Sequence, residues 1–297
     1  MTQSQQTTPL EVDLNGTVVP QEEARVSVFD RGFLYGDGVF ETLRVYDGMA
    51  FRRQAHWERL CRSASLIRLE IPFGENEYDE RLERIIEINA LKEAVARVTV
   101  SRGVGSISFR LDYQPHPTSV FSARPFRGYP DELYQDGAKI VVAARRRNSP
   151  ASLDPAAKSA NYLNNVLARA EAEDAGAFEA VMLNVDGFLT EGSVTNLFLV
   201  QGAELLTPSL DCGVLPGITR AIVLEIAGEI GIEYRETMLR AEEMLRSDEV
   251  FLTNTTAEIM PVVAVGEERV GDGRPGKATR ELHTAYRELV RKECSAK

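Results

Sequence analysis

The amino-acid sequence predicts an α+β protein of two domains, in which mixed sheets carry helices on their outer sides. Segments with the two-residue alternation of strands, such as Leu43 and Val45 with their polar neighbours, are mixed with segments of helical period such as residues 218–230. The two kinds do not alternate strictly, which favours α+β sheets over a doubly wound parallel sheet. Residues 127–137 (RGYPDELYQDG) combine Pro, Gly and charge without periodicity, which indicates a domain boundary.

That boundary divides the chain into three segments. We predict a small N-terminal domain over residues 1–127, an interdomain linker over 128–136 and a larger C-terminal domain over 137–297. Within the first domain we expect strands in residues 10–51, where Val26 and Val28 alternate with polar residues and Asp47-Gly48 is typical of a hairpin turn. The remaining elements of this domain are helices over 55–69 and from about Asn76, and strands over 97–101 and 119–123.

The second domain is predicted to hold two well-marked helices between strands. Residues 161–174 place Leu163, Val166, Leu167 and Ala170 on one helical face, with Gly176 as a stop signal. Residues 218–230 begin directly after Pro216-Gly217 and repeat the same spacing with larger apolar residues. The other elements are strands over 138–144, on both sides of the Asp186-Gly187 turn and over 249–254, and a C-terminal helix over 276–292.

Composition excludes several classes of function. The net charge of −11 opposes binding to nucleic acid or to an anionic membrane surface. No apolar run reaches the length of a membrane span, and the polar N-terminus does not resemble a signal peptide. The scattered cysteines indicate a reducing, cytoplasmic compartment, and the three histidines lack metal-site spacing, so no metal is expected.

Lysine is used sparingly in this chain. Only six of the 34 basic residues are lysines, so arginine supplies most of the positive charge. An amine can lose its proton and attack a carbonyl, whereas a guanidinium effectively cannot. Lys158 lies among small residues just before a predicted helix, where it is either a solvated surface lysine or a Schiff-base lysine.

Glu191 and three other parts of the sequence could bind the same ligand as that lysine. Glu191 lies in a mostly apolar strand region, where it is either an exposed acid near a hairpin or a buried carboxylate paired with a protonated ring nitrogen. Residues 215–220 (LPGITR) open a helix, and free N–H groups at a helix start bind phosphate, with Gly217 allowing close approach and the Thr219 hydroxyl adding a donor. The polar end of the strand in FLTNTTAEIMP and the cation of Arg52 suit the same anion.

Six segments resemble, in the same order, those of the class IV aminotransferases, the fold-type IV family of pyridoxal-phosphate enzymes. The resemblance spans nearly the whole chain, from about residue 10 to 290. The segments are DRGFLYGDGVFETLRVYDG, FRRQAHWERL, KSANYLNNVLARAEA, EAVML with DGFLTEGSVTNLF, TPSLDCGVLPGITR and EVFLTNTTAEIMPV.

The resemblance implies pyridoxal 5′-phosphate as cofactor and assigns roles to matching positions. Lys158 matches the catalytic Schiff-base lysine and Glu191 the partner of the pyridine nitrogen. Tyr162 lies near the position of a tyrosine beside the phenolic oxygen, although here it follows the lysine by four residues rather than five. The phosphate-binding positions are Arg52, Ile218, Thr219 and Thr255, and the substrate-pocket positions are Tyr35, Phe40, Arg97 and Thr256.

The family's architecture is also implied. It comprises a small N-terminal α/β domain, a larger C-terminal cofactor-binding domain with a β-barrel-like sheet core, and a homodimer whose sites are completed by a loop of the partner. The implied reaction converts an amino acid to its keto acid and then runs in reverse on a second keto acid. Lys158 is expected to shuttle the proton between Cα and C4′.

Three members of the family remain as alternatives for the substrate. Features shared with branched-chain aminotransferases are PGITR, AEIMPV and Arg97, together with the apolar wall that Tyr35 and Phe40 would form. We therefore predict a branched-chain L-amino acid as donor and 2-oxoglutarate as acceptor. Thr42 and Asn254 instead resemble 4-amino-4-deoxychorismate lyases, which rank second, and D-amino-acid or (R)-amine transaminases rank third.

Overall fold

The computed structural model describes residues 9–105, 108–111 and 116–295. These residues form two compact units. The first comprises the described residues up to Arg127 together with Cys294 and Ser295, and the second comprises Gly128–Glu293.

The segment predicted as a linker, residues 128–136, lies within the second unit and is folded. It contains the helix Asp131–Asp136, and three of its apolar side chains, Tyr129, Leu133 and Tyr134, pack against that unit's core. The helix has under two turns, which is too short for a helical period to stand out in the sequence. This segment is therefore part of the second unit and not a free linker.

The first unit contains six strands and three helices among its described residues. Its strands are β1 (Glu11–Leu14), β2 (Thr17–Pro20), β3 (Gly38–Tyr46), β4 (Met49–Ala50), β5 (Ala94–Ser101) and β6 (Thr118–Pro125). Its helices are α1 (Arg31–Tyr35), α2 (Arg53–Leu66) and α3 (Glu75–Ile88). The strands pair antiparallel in the order β2-β1-β6-β5-β3-β4. Helices α2 and α3 cover one face of this sheet.

Strand β3 shows why this sheet forms. Val39, Leu43 and Val45 alternate with residues of the other sheet face and enter a core shared with α2 and α3. Asp47 and Gly48 both take positive φ, 47° and 83°, so the predicted hairpin to β4 is confirmed. The predicted strand around Val26 and Val28 is wrong, because both side chains are exposed and the segment has no strand partner there.

A buried charged cluster lies inside the core of the first unit. Glu41, on the same face of β3 as Leu43, accepts hydrogen bonds from Arg59 Nε at 2.7 Å and from Arg59 Nη2 at 2.7 Å. His56 Nδ1 lies 2.8 Å from the same carboxylate. Burial raises the pKa of Glu41, but the Arg59 guanidinium and His56 more than offset that effect and hold the pKa well below its usual range.

The second unit contains nine strands and five α-helices among its described residues. Its strands are β7 (Ala138–Arg146), β8 (Glu179–Leu183), β9 (Leu189–Gly192), β10 (Asn196–Gln201), β11 (Glu204–Pro208), β12 (Glu233–Thr237), β13 (Glu249–Asn254), β14 (Glu258–Val265) and β15 (Glu268–Arg269). Its helices are α4 (Asp131–Asp136), α5 (Leu163–Asp174), α6 (Ile218–Glu229), α7 (Ala241–Arg246) and α8 (Lys277–Cys294), and a 3₁₀ turn spans Leu210–Cys212.

The sheet of the second unit is mixed. Its strand order is β12-β11-β10-β13-β14-β7-β8-β9, with β15 added beside β14. The pairs β11–β12, β14–β7 and β7–β8 are parallel, and the other pairs are antiparallel. Such pairing agrees with the predicted α+β class, because a doubly wound fold would be mostly parallel.

Helix α5 forms as predicted, but with the opposite face buried. Its small residues Ala168 and Ala172 pack with the strand residues Ala180 and Met182, so the helix lies close to β7 and β8. The predicted core residues Leu163 and Val166 are 68 % and 58 % exposed, and Leu167 is also exposed. An apolar stripe shows that a helix has an apolar face, but not which surface that face meets.

Three further properties bear on function. None of the described helices is long and apolar enough to cross a membrane. The described residues contain no group of three or more His, Cys, Asp or Glu side chains suited to a metal ion. All three cysteines are free thiols.

Candidate active site

Glu191 is the central carboxylate of the second unit. It lies in β9, where every residue is buried. Arg147 Nε and Nη2 approach its Oε1 at 2.9 Å and 2.7 Å. The backbone N–H of Leu215 and the Asn196 side-chain amide donate to Oε2 at 3.0 Å and 3.1 Å. Both carboxylate oxygens therefore have partners, as a buried charge requires.

Opposing effects act on the proton affinity of Glu191. Burial raises its pKa, while the Arg147 guanidinium, the Leu215 N–H and the Lys158 charge act to lower it, and the net pKa is raised. Lys158, in the same unit, therefore acts on Glu191 through its charge. A carboxyl with raised proton affinity is suited to share a proton with a basic ring nitrogen.

The sheet brings Arg147 to Glu191. Arg147 directly follows β7, and its N–H donates to Leu183 O on the neighbouring β8 at 2.9 Å. Strand β8 pairs in turn with β9, which carries Glu191. The side chain of Asn165, near the start of α5, accepts from Arg147 Nη1 at 3.1 Å and donates to Ser193 O at 2.7 Å. This amide links the α5 helix to the Glu191 strand.

Arg147 and Asn196 were not identified from the sequence. Arg147 is the last of three consecutive arginines, of which it alone is buried. Strand alternation cannot select it, because it lies just beyond the strand end. Asn196 follows Glu191 by five residues, and the only signal was its position at the start of an apolar strand.

Lys158 lies in the loop between β7 and α5, and Tyr162 is the residue immediately before α5. The Lys158 Nζ lies 3.4 Å from Tyr162 Oη and 5.5 Å from the centroid of the Tyr162 ring. The lysine is half-buried. Amine and phenol are therefore adjacent, in the unit that also holds Glu191.

The start of helix α6 has the features of an anion site. Gly217 is its N-cap residue, and no side chain of the described residues caps this end. A Cβ at position 217 would lie 1.8 Å from Asn196 Oδ1, so any other residue would displace Asn196 or the helix start. The Asn196 amide also donates to Leu215 O at 3.0 Å, which joins this helix start to Glu191. Ile218 and Thr219 form the first helical turn, where N–H groups lack helical partners.

The turn between β13 and β14, residues 255–257, carries Thr255 and Thr256. Asn254 Oδ1 accepts from Thr256 N at 2.9 Å, from Thr256 Oγ1 at 3.1 Å and from Ala257 N at 2.6 Å. Its Nδ2 donates to Val194 O at 3.2 Å, in the loop that follows Glu191. Asn254 thus folds this turn and ties it to the Glu191 loop, and the Thr256 hydroxyl is engaged within the turn.

The other four predicted site residues belong to the first unit. Arg52 is the N-cap residue of α2 and has a φ of 52°, a left-handed conformation that is uncommon for a residue other than glycine. Arg97 Cζ lies 3.8 Å from the centroid of Phe40. Tyr35 ends α1, with its ring centroid 5.2 Å from that of Phe109.

Comparison with known proteins decides the family. The family model for class IV amino-transferases matches residues 38–265. The chain belongs to the class IV aminotransferase family. It is 38 % identical over 280 residues to a putative branched-chain-amino-acid aminotransferase of Methanocaldococcus jannaschii, covering 94 % of this chain and 96 % of that protein.

Two further relatives of this aminotransferase carry other activities. The D-alanine aminotransferase of Bacillus licheniformis is 32 % identical over 96 % of this chain and 98 % of its own length. The aminodeoxychorismate lyase of Bacillus subtilis is 33 % identical over 94 % of each.

A solved structure confirms the predicted fold class. The branched-chain amino acid aminotransferase of Thermobaculum terrenum, solved in its pyridoxal-phosphate form, superposes with a TM-score of 0.87 at 29 % identity. The superposition covers 96 % of this chain and 95 % of that one.

Class IV aminotransferases use pyridoxal 5′-phosphate, so the enzyme is a pyridoxal-phosphate-dependent aminotransferase. The residues present fit that group. An uncapped helix start kept open by Gly217 suits a phosphate, and the buried Glu191 carboxylate suits a ring nitrogen.

Proposed function

We propose that Lys158 binds the cofactor as a Schiff base and that Glu191 pairs with the pyridine nitrogen. The observation that carries this proposal is the buried Glu191 carboxylate, which is held by Arg147 and lies within electrostatic range of Lys158. In the same proposal the phosphate binds Gly217, Ile218, Thr219, Thr255 and Arg52. Tyr162 lies beside the phenolic oxygen and orients the Lys158 amine.

Each of these residues then has its own role in the proposed reaction. The bound cofactor supplies an electron sink for the pair of electrons left when a bond to the substrate Cα breaks. Glu191 keeps a proton at the ring nitrogen, and Arg147 keeps Glu191 in place. Lys158 Nζ takes the proton from Cα as a base and returns it as an acid. Tyr162, at 3.4 Å from that nitrogen, stabilises the neutral amine by hydrogen bonding.

The donor is proposed to be a branched-chain L-amino acid and the acceptor 2-oxoglutarate. The 38 % identity to the Methanocaldococcus jannaschii protein supports this choice. Tyr35 and Phe40 are the aromatic residues proposed to line the pocket for an aliphatic side chain. Arg97 holds an exposed cation over the Phe40 ring, which suits the second carboxylate of 2-oxoglutarate.

Lyase activity is the second candidate. Thr42 and Asn254 favour it, because the residues at these two positions resemble those of the lyases. Transamination of D-amino acids or (R)-amines ranks third. The relatives named as a lyase and as a D-alanine aminotransferase support keeping both activities as candidates.

Reduction and peptide mapping test the role of Lys158. Borohydride should bleach the absorbance of the bound cofactor, and the peptide containing Lys158 should then carry the cofactor mass. Lys139, which pairs with Glu267 at 2.6 Å, is the internal control and should remain unmodified. Cofactor attached at a different lysine would contradict the proposal.

A half-reaction panel then distinguishes the three candidates. The enzyme is mixed in turn with L-Leu, L-Val, D-Ala, D-Glu and (R)-phenylethylamine, and conversion of the cofactor to its amine form is followed by absorbance. Conversion by L-Leu and L-Val alone supports the first candidate. Pyruvate release from aminodeoxychorismate without an acceptor would identify a lyase.

The enzyme is further proposed to act as a cytoplasmic homodimer. The apolar α5 face formed by Leu163, Val166 and Leu167 supports association, because a monomer would leave it in water. The three free thiols agree with a reducing compartment.

A further inference from the structure

Glu258 combines burial with an unusual backbone conformation. It is the first residue of β14 and pairs across the hairpin with Asn254, so it directly follows the 255–257 turn. Its φ is 53°, in the left-handed region. Glycine takes that conformation readily, whereas a residue with a Cβ is strained there. Strain of this kind persists only where surrounding contacts impose it.

Two side chains of helix α8, His283 and Arg287, contact the Glu258 carboxylate. His283 Nε2 lies 2.7 Å from Oε2, and Arg287 Nε donates to the same oxygen at 2.9 Å. Burial raises the pKa of Glu258, but the contacts with His283 and Arg287 outweigh burial and lower it to about 2. The carboxylate is therefore ionised across the working range of an enzyme, so it carries the charge that its contacts with His283 and Arg287 require.

The Tyr134 ring supports the contact between Glu258 and helix α8. The Tyr134 ring of α4 stacks on His283 with centroids 5.0 Å apart, and Arg287 Cζ lies 5.2 Å from the Tyr134 centroid. The Tyr134 hydroxyl donates to Ala257 O at 3.3 Å, inside the turn. Helices α4 and α8 thus contact the turn and its following residue from one side, while Asn254 folds it from within.

From this geometry we propose that Glu258 is a positioning residue that holds the 255–257 turn in its ligand-binding conformation through His283 and Arg287. This inference rests on the proposed role of Thr255 and Thr256 in binding phosphate and substrate. The carboxylate fixes a left-handed residue at the end of the turn, in which the Thr256 and Ala257 N–H groups donate to Asn254 Oδ1. Helix α8 acts on the site through Glu258 without touching a ligand.

Comparison of Glu258→Ala with Glu258→Gly tests the proposal. Both variants lose the carboxylate, but glycine adopts the left-handed conformation without the strain of a Cβ. We expect KM for the amino donor to rise about 5- to 30-fold in Glu258→Ala, because the strain of the left-handed conformation is then no longer offset by the carboxylate contacts. In Glu258→Gly the rise should be less than about threefold, because the backbone conformation is retained at little cost. The dissociation constant of pyridoxamine 5′-phosphate, measured by fluorescence, should follow the same order.

Glu249→Gln is the matched control. Glu249 also binds α8 from strand β13, accepting from Ala278 N at 2.9 Å and from Thr279 N at 2.8 Å, but at the opposite end of that strand. It should lower the thermal midpoint without changing KM or cofactor affinity. Arg287→Met tests the contact from the helix side, at a side chain that is partly exposed. KM should rise in the same direction, by a smaller factor.

Hydrogen exchange separates this inference from the proposed function. Exchange at the 256 and 257 amides should accelerate in Glu258→Ala and not in Glu249→Gln. Unchanged exchange, or equal KM values in Glu258→Ala and Glu258→Gly, would overturn the positioning role. If Thr255→Val leaves KM and cofactor affinity unaltered, the proposed ligand role of the turn fails instead, and the exchange data still decide whether Glu258 holds it.

Discussion

Arg147 and Glu191 form a buried ion pair in which two guanidinium nitrogens, Nε and Nη2, approach a single carboxylate oxygen at 2.9 Å and 2.7 Å. The second carboxylate oxygen is left to the Leu215 N–H and the Asn196 amide. The pair joins the end of β7 to β9. A change at either member therefore affects both the sheet and the proposed ring-nitrogen contact.

Replacing Arg147 by Met should destabilise the enzyme by about 3–5 kcal/mol, because it leaves a buried carboxylate without its charge partner. The pKa of Glu191, already raised by burial, would rise further. A carboxyl whose pKa is higher in the folded state loses its stabilising contribution as pH rises through that pKa. The thermal midpoint of this variant should therefore fall more at about pH 8 than at about pH 5.

Two controls accompany that measurement. Arg147→Met combined with Glu191→Gln should recover much of the lost stability, since no unpaired charge remains. Arg145→Met, at an exposed neighbour in the same run, should change stability by at most about 1 kcal/mol. Equal effects of the Arg145 and Arg147 changes would show that the buried pair has no special importance.

Gly217→Ala should weaken cofactor binding about tenfold or more, which corresponds to about 1.4 kcal/mol. The added Cβ would lie 1.8 Å from Asn196 Oδ1, so Asn196 or the helix start must move. Equilibrium titration with pyridoxal 5′-phosphate measures the effect.

Gly228→Ala in the same helix is the control. A Cβ there meets nothing within 4 Å, and alanine should stabilise the helix by up to about 1 kcal/mol with unchanged cofactor affinity. Retained affinity in Gly217→Ala would remove the α6 start from the phosphate site.

Glu41→Gln should reduce the loss of folding stability that acidification causes. The pKa of Glu41 is held below its ordinary value of 4.5, so its stabilising contribution is present above that value and is lost as the pH falls further. The variant should be less stable than wild type at neutral pH and should lose less stability on acidification. Thermal midpoints between about pH 7 and about pH 3 measure this, with exposed Glu77→Gln as the control; parallel profiles would refute it.

Val166→Glu should convert the proposed homodimer to monomer in sedimentation experiments. Val166 is 58 % exposed on the apolar face of α5, and a charge within an apolar interface costs several kcal/mol. Met238→Glu, at a similarly exposed apolar residue outside α5, should leave the assembly unchanged. A dimer that persists in Val166→Glu would place the subunit contact elsewhere.

The sequence predicted most helices and strands because their hydrophobic patterns extend over many residues. Helix α6 was located by Pro216-Gly217 at its start, and its apolar residues Ile222, Val223 and Ile226 are buried. Helix α5 was equally clear as a helix, but its buried face consists of alanines and Asn165. Periodicity weighs large apolar residues most, so it selected the exposed face.

The site was only partly predictable for a related reason. Lys158, Glu191 and the α6 start each lie in a local pattern that indicates a chemical role. Arg147 and Asn165 act through contacts between elements distant in the chain, and a single arginine in a run of three gives no local signal. The left-handed conformation of Glu258 is likewise invisible in the sequence, because turn rules predict glycine at such a position.

The parallel pairing of β14 with β7 has a consequence for biosynthesis. Val262 lies opposite Ala138, so β7 gains this neighbour only after the 124 residues that follow Ala138 have been synthesised. Until then the edge of β7 can pair with another nascent chain, and contacts of such long sequence separation form slowly. Truncation before residue 258 should therefore give aggregates, and yield in a host cell should depend on chaperones.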